Sequence, residues 1–83
     1  MKIDVRYFAW VRERIGVGHE SVETDAATPR ALIEELRTRE ARYEAAFQDI
    51  TALRVAVDQE LVDMDDALGT AREVAFFPPM TGG

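Results

Sequence analysis

The sequence contains no cysteine and only one histidine. The first absence excludes disulfides, thiolate metal sites, thiol nucleophiles and cysteine-ligated iron–sulfur clusters together. The second leaves His19 with no second histidine or cysteine to complete a metal site or a nucleophilic dyad. In the polar run GVGHES it reads as a solvated loop residue. No apolar run approaches the roughly 18 residues of a membrane span. The opening MKIDVRYF carries an acid and an arginine where a signal peptide needs an apolar stretch. These features predict a soluble, cytoplasmic protein with no membrane partner.

Positive charge is also scarce, with 10 basic against 16 acidic residues and a net charge of −6. That balance argues against nucleic acid as a ligand. It leaves two readings open: electrostatic steering toward a basic protein partner, or solubility alone. A Gly-rich phosphate loop is missing. Asp63, Asp65 and Asp66 in DMDD faintly suggest a calcium loop, but the glycine and terminal glutamate of an EF-hand are not at their positions. The acidic loop therefore reads as solvated, and no metal site is expected. The usual side chains supply no active site.

What is present is a globular composition, 47% hydrophobic and 31% charged over 83 residues, enough for one small domain. In KIDVRYFA, Ile3, Val5 and Tyr7 alternate with Lys2, Asp4 and Arg6, the pattern of a half-buried strand. Parity puts Phe8 on the polar face. Val11 and Ile15 lie on one side of a short helix over residues 10–15, with Gly16 placed as its C-cap. A weak edge strand surrounds Val22. The strongest local signal is ATPRALIEELRTRE: Thr28 caps, Pro29 takes the first helical position, and Leu32, Ile33 and Leu36 form the apolar stripe. Tyr43 and Phe47 at i,i+4 suggest a further helical turn or two. Leu53, Val55 and Val57 read as a strand, Asp58-Gln59-Glu60 as a turn, and Leu61-Val62 as the returning strand. DMDDALGTA reads as loop with room for one helical turn. REVAFF is the last strand, with Val74 and Phe76 on one face and Ala75 and Phe77 on the other.

The order strand, short helix, strand, main helix and three short strands predicts an α+β roll. The first and last strands are the most apolar and are placed centrally, side by side. A mixed five-stranded sheet packed on one main helix is a β-grasp, or ubiquitin-like, arrangement. The expected organisation is a domain over residues 1–77 and an extended tail over 78–83.

That tail, after the aromatic strand, reads PPMTGG. Two prolines disfavour continued strand pairing and set a stiff exit. Six residues reach about 20 Å. Gly82 and Gly83 lack a Cβ and can thread a narrow channel, presenting a carboxylate that becomes an electrophile once adenylated. A frayed tail is the plain alternative. Phe8, Phe77 and one of Leu61 and Val62 face away from the core, and contiguous exposed apolar surface marks a partner site, unless the Trp10 segment covers it.

With YFAWVRERIG, AVDQELV and EVAFFPPMTGG, essentially the whole chain resembles the small subunit of molybdopterin synthase, the MoaD family of ubiquitin-like sulfur carriers. LGTAREV and the aspartate of AVDQ depart from that family's turn residues. The resemblance implies that an activating enzyme of ubiquitin-activating type adenylates Gly83 with ATP, and that a sulfur donor protein converts it to a thiocarboxylate. Pro78, Pro79, Met80, Thr81 and Gly82 would then enter the large synthase subunit, in a heterotetramer with two copies of each chain. There sulfur would pass to cyclic pyranopterin monophosphate, forming the molybdopterin dithiolene of molybdenum cofactor biosynthesis. Phe8, Leu61 and Phe77 would bind the large subunit, which would carry the catalytic side chains. No permanently bound cofactor is implied. A carrier for another pathway (thiamine, tRNA thiolation or an amino acid), a lysine-conjugating modifier, and an interaction module without chemistry are the alternatives.

Overall fold

A computed structural model describes residues 1–79. Expectations for Met80, Thr81, Gly82 and Gly83 lie outside the described residues.

Strand β1 (Lys2–Tyr7) buries Ile3, Val5 and Tyr7 and leaves the alternate residues outside. Helix α1 (Ala9–Ile15) starts one residue before the predicted position and buries Val11 and Ile15. It stops where Gly16 takes φ 97° and its N–H donates to the Arg12 carbonyl at 2.8 Å, a left-handed position that only glycine occupies without strain. Strand β2 (His19–Glu23) lies at one sheet edge. Helix α2 (Pro29–Arg37) is capped as its sequence dictates, the Thr28 hydroxyl accepting from the Ala31 N–H at 3.1 Å. A second short helix, α3 (Ala41–Ala46), buries Tyr43 and Ala46, and a 3-10 turn follows at Ile50–Ala52.

Strands β3 (Arg54–Val57), β4 (Glu60–Val62) and β5 (Glu73–Phe77) complete the sheet. Its order is β2-β1-β5-β3-β4, with β1 and β5 parallel and the other neighbours antiparallel. This is the expected β-grasp: β5 is central and β1 lies beside it. Two details differ from expectation. The β3–β4 turn has only two residues, Asp58 at φ 50° and Gln59 at φ 70°, so Glu60 already belongs to β4. Two consecutive left-handed residues match the right-handed twist of a tight hairpin. The DMDDALGTA loop contains turns and no helix. It is fastened instead to the first turn of α2, by Arg30 N–H to the Met64 carbonyl, and to the segment before it, by Leu68 N–H to the Ala27 carbonyl, both at 2.9 Å.

One face of the sheet meets the helices. Leu32, Ile33 and Leu36 of α2 pack there with Val11, Ile15, Tyr43 and Phe47, so the main helix shares the core with two smaller ones. Phe76 of the central strand lies at the middle of an aromatic group, 5.4 Å from Phe47 edge-on and 6.4 Å from Tyr7. Burying an aromatic of this kind contributes about 1.5–3 kcal/mol. The core side of β5 is thus held rigidly, and its other side is positioned with it.

Candidate partner-docking site

The outer face of the sheet follows from strand parity. Tyr7 pairs with Phe76 and faces the core, so Phe8 and Phe77 face out together. Phe77 pairs with Arg54. In the neighbouring row Arg6, Ala75, Ala56 and Leu61 succeed one another across β1, β5, β3 and β4. The register therefore joins Phe8 and Phe77 to Leu61 through two alanines. Phe8 is 48% exposed and Leu61 67%, both large for free apolar side chains. Val62, by contrast, packs against the core, which settles which of the two returning residues faces out.

Phe8 is fixed by its backbone. Its N–H donates to the Phe76 carbonyl at 3.1 Å, and its own carbonyl accepts from the Val11 N–H at 3.1 Å. Ala9 then turns through φ 53°, a left-handed conformation that costs a non-glycine residue about 1–2 kcal/mol. Phe8, Ala9, Ala75, Phe77 and Pro78 together line a shallow depression whose walls are almost wholly carbon. The Trp10 segment does not cover it. Trp10 packs against the core, with the Arg14 guanidinium 4.5 Å from its ring centroid. The depression lies where β5 ends and Pro78-Pro79 begins, so the patch adjoins the root of the tail.

The rest of the outer face is charged. Arg6 bridges Glu73 at 2.9 Å and Asp4 at 3.3 Å. His19 is exposed as expected but opens strand β2 rather than lying in a loop, with Nδ1 3.6 Å from Asp4. Two of the predicted acidic-loop carboxylates, Asp65 and Asp66, have protein partners. Arg30 grips Asp65 through two hydrogen bonds, of 2.7 and 3.1 Å, which hold the carboxyl below its usual range. Asp66 accepts from the Asp63 N–H at 2.8 Å. Among the described residues, no group of three histidine or acidic side chains could hold a metal ion.

Sequence reasoning missed a polar cluster behind the sheet. One oxygen of Glu20 accepts from Tyr7 Oη at 2.7 Å and from Tyr43 Oη at 2.6 Å. Arg42 donates to Tyr43 Oη at 3.1 Å and to the Ile15 carbonyl at 3.0 Å. Burial, followed by the bond to Glu20, pushes the Tyr43 phenol up to about 12 and the Tyr7 phenol higher still. The only available signal was parity: Glu20 shares a strand face with Val22. Asp58 was flagged only as a turn residue. Its carboxylate also accepts from the Arg72 and Glu73 N–H groups, at 2.9 and 3.0 Å, and so anchors the start of β5. Both groups position β1 and β5 and neither reaches the docking depression.

Comparison with known proteins adds to this geometry. A model of the ThiS family matches residues 5–83. The chain is 42% identical over 81 residues to the molybdopterin synthase sulfur carrier subunit of Escherichia coli strain K12, spanning 98% of this chain and 99% of that one. SAMP1 from Haloferax volcanii superposes over the whole of both chains with a TM-score of 0.77 at 22% identity. A chain in the complex of subunits 1 and 2 of the molybdopterin-converting factor from Helicobacter pylori 26695 does so with a TM-score of 0.65 at 20% identity. The last two similarities concern the fold alone.

Proposed function

This chain belongs to the ThiS family, and on that premise we propose that it is the sulfur carrier subunit of a molybdopterin synthase. An adenylyltransferase of ubiquitin-activating type uses ATP to convert the Gly83 carboxylate to an acyl-adenylate. The terminal sulfur of a donor protein's persulfide then displaces AMP at the acyl carbon. A thiol attacks the donor-side sulfur, forming a disulfide, breaking the S–S bond to the carrier and leaving a thiocarboxylate. The segment Pro78–Gly83 enters the large synthase subunit in the cytoplasm, and sulfur passes to cyclic pyranopterin monophosphate to build the dithiolene. The large subunit supplies the catalytic side chains, with two copies of each chain in the assembly. This chain needs no resident cofactor.

The observation that carries this reading is the carbon-walled depression of Phe8, Ala9, Ala75, Phe77 and Pro78 at the foot of the tail. A partner seated there is held on the rigid central strand, so the tail beyond Pro79 is aimed from a fixed origin. Binding and delivery are thereby separated: the sheet docks and the terminus reacts. The carrier reading is tested by removing Gly82 and Gly83. The shortened chain should still bind the large subunit with unchanged affinity and should support no dithiolene formation. Retention of dithiolene synthesis would leave only a binding module.

A further inference from the structure

Nine of the ten basic residues are arginine, and Lys2 is the only lysine. This bias acquires a meaning from where Lys2 lies. Strand β1 runs parallel to β5, with Asp4 beside Glu73 and Tyr7 beside Phe76. Lys2 is therefore at the end of the sheet where β5 begins, and the tail leaves from the opposite end. At ~3.3 Å per residue, the six positions from Lys2 to Phe8 separate them by roughly 20 Å. That is about the full contour length of residues 78–83, so even with the lysine side chain's own reach only a tail folded back along the sheet could touch Lys2. The other amine, the Met1 ammonium, is at the same far end. It donates to the Thr24 carbonyl at 3.0 Å and is flanked by the Glu23 and Asp25 carboxylates.

Apart from the His19 imidazole, which pairs with Arg6 across β1 and β2, the basic side chains near the tail root are guanidinium groups. Arg54 is the ladder partner of Phe77, and Arg6 lies one row further down the same face. A guanidinium stays protonated at every physiological pH and offers no lone pair. A lysine has a pKa near 10.4 and a small neutral fraction, and proximity multiplies its reactivity.

We infer that the outer face is kept free of nucleophilic amines around the tail root, so that the activated terminus passes its acyl group to sulfur and not to an amine of its own chain. Arg54 and Arg6 are the specificity-determining positions: they supply positive charge there without a nucleophile. The inference rests on the carrier reading above. The side reaction avoided is defined. An ε-amine attacks the Gly83 acyl carbon, a C–N bond forms, and the C–O bond to AMP breaks. AMP departs with the electron pair, and water takes the amine proton. The product is an isopeptide loop one water lighter than the starting chain.

The test compares the wild-type chain with Arg54→Lys and Arg6→Lys. Each is incubated with the adenylating enzyme and ATP, without a sulfur donor, at concentrations low enough to disfavour reaction between copies. Pyrophosphate release reports activation, and fragment mass analysis reports cross-links. All three chains should release pyrophosphate. Arg54→Lys should accumulate a species one water lighter, linked between positions 54 and 83, at least tenfold above any cross-link in wild type. Arg6→Lys keeps a cation for Asp4 and Glu73 and should give its own link in smaller yield; it serves alone if the first variant does not fold. A Lys2–Gly83 link in wild type at comparable yield would overturn the inference. So would pyrophosphate release from both variants with no linked product. No pyrophosphate from wild type, with the enzyme active on another carrier, would overturn the carrier reading and this inference with it.

Discussion

Replacing Leu61 by alanine separates docking from folding better than any other single change in the patch. In the free protein Leu61 is 67% exposed on the short strand β4, so about two-thirds of its surface remains to be covered by a partner. Full burial of a leucine is worth roughly 1.5–3 kcal/mol. Covering the remaining two-thirds therefore contributes about 1–2 kcal/mol, or roughly 5- to 30-fold in Kd. The third already covered limits the loss of folding stability to about 0.5–1 kcal/mol. Titration calorimetry against the large synthase subunit measures the first quantity, and urea unfolding of the free chain the second. A Kd within twofold of wild type would refute the reasoning, because a side chain this exposed and this apolar could not then lie in the interface. A large stability loss with unchanged affinity would also refute it, by assigning Leu61 to the fold.

Three further outcomes are expected. Phe77→Asp puts a charge into the carbon-walled depression and should weaken binding of the large subunit by at least ~2 kcal/mol, as loss of a buried aromatic anchor does; titration of the folded variant checks it, and unchanged affinity would remove Phe77 from the interface. Gly83→Ala should leave the unfolding curve unchanged and lower thiocarboxylate yield, because a Cβ crowds a channel shaped for glycine; normal yield by mass analysis contradicts this. Stability should fall as pH rises above about 10, where tyrosines of the unfolded chain ionise while Tyr7 and Tyr43 stay protonated in the fold, Tyr43 up to about 12. The unfolded state then binds fewer protons than the native one, and each tyrosine contributes a decline of about 1.4 kcal/mol per pH unit. Urea midpoints between pH 9 and 11.5 should show that slope and Tyr43→Phe should halve it, whereas a flat profile contradicts the Glu20 clamp.

Those tyrosines also mark the limit of what the chain's pattern reveals. Alternation in KIDVRY, the Thr28-Pro29 start and Gly16 are local signals, and each sets the structure of its own few residues. Pairing of β1 with β5 was legible because both strands are apolar enough to be central. Phe8 and Phe77 were legible as an outward-facing pair because parity alone turns them outward. Glu20 was not. Its role depends on Tyr7 and Tyr43 converging on one oxygen from two other elements, and spacing along the chain does not encode that convergence. Asp58 is similar: its preference for a tight turn is local, but its grip on the first N–H groups of β5 is long-range. The left-handed Ala9 runs against its own propensity. It is set by the hydrogen bonds around Phe8 rather than by its own side chain.

On the proposed function, Gly83 carries the sulfur. The most direct test is intact-mass and C-terminal fragment analysis after incubation with ATP, the cognate adenylating enzyme and a sulfur source. Fragmentation is required because oxidation of Met80 adds almost the same mass as replacing oxygen by sulfur. A gain confined to Gly83 is expected, and it should disappear when the large subunit and its pterin precursor are added. No gain at Gly83, with the enzyme active on another carrier, would contradict the proposed function.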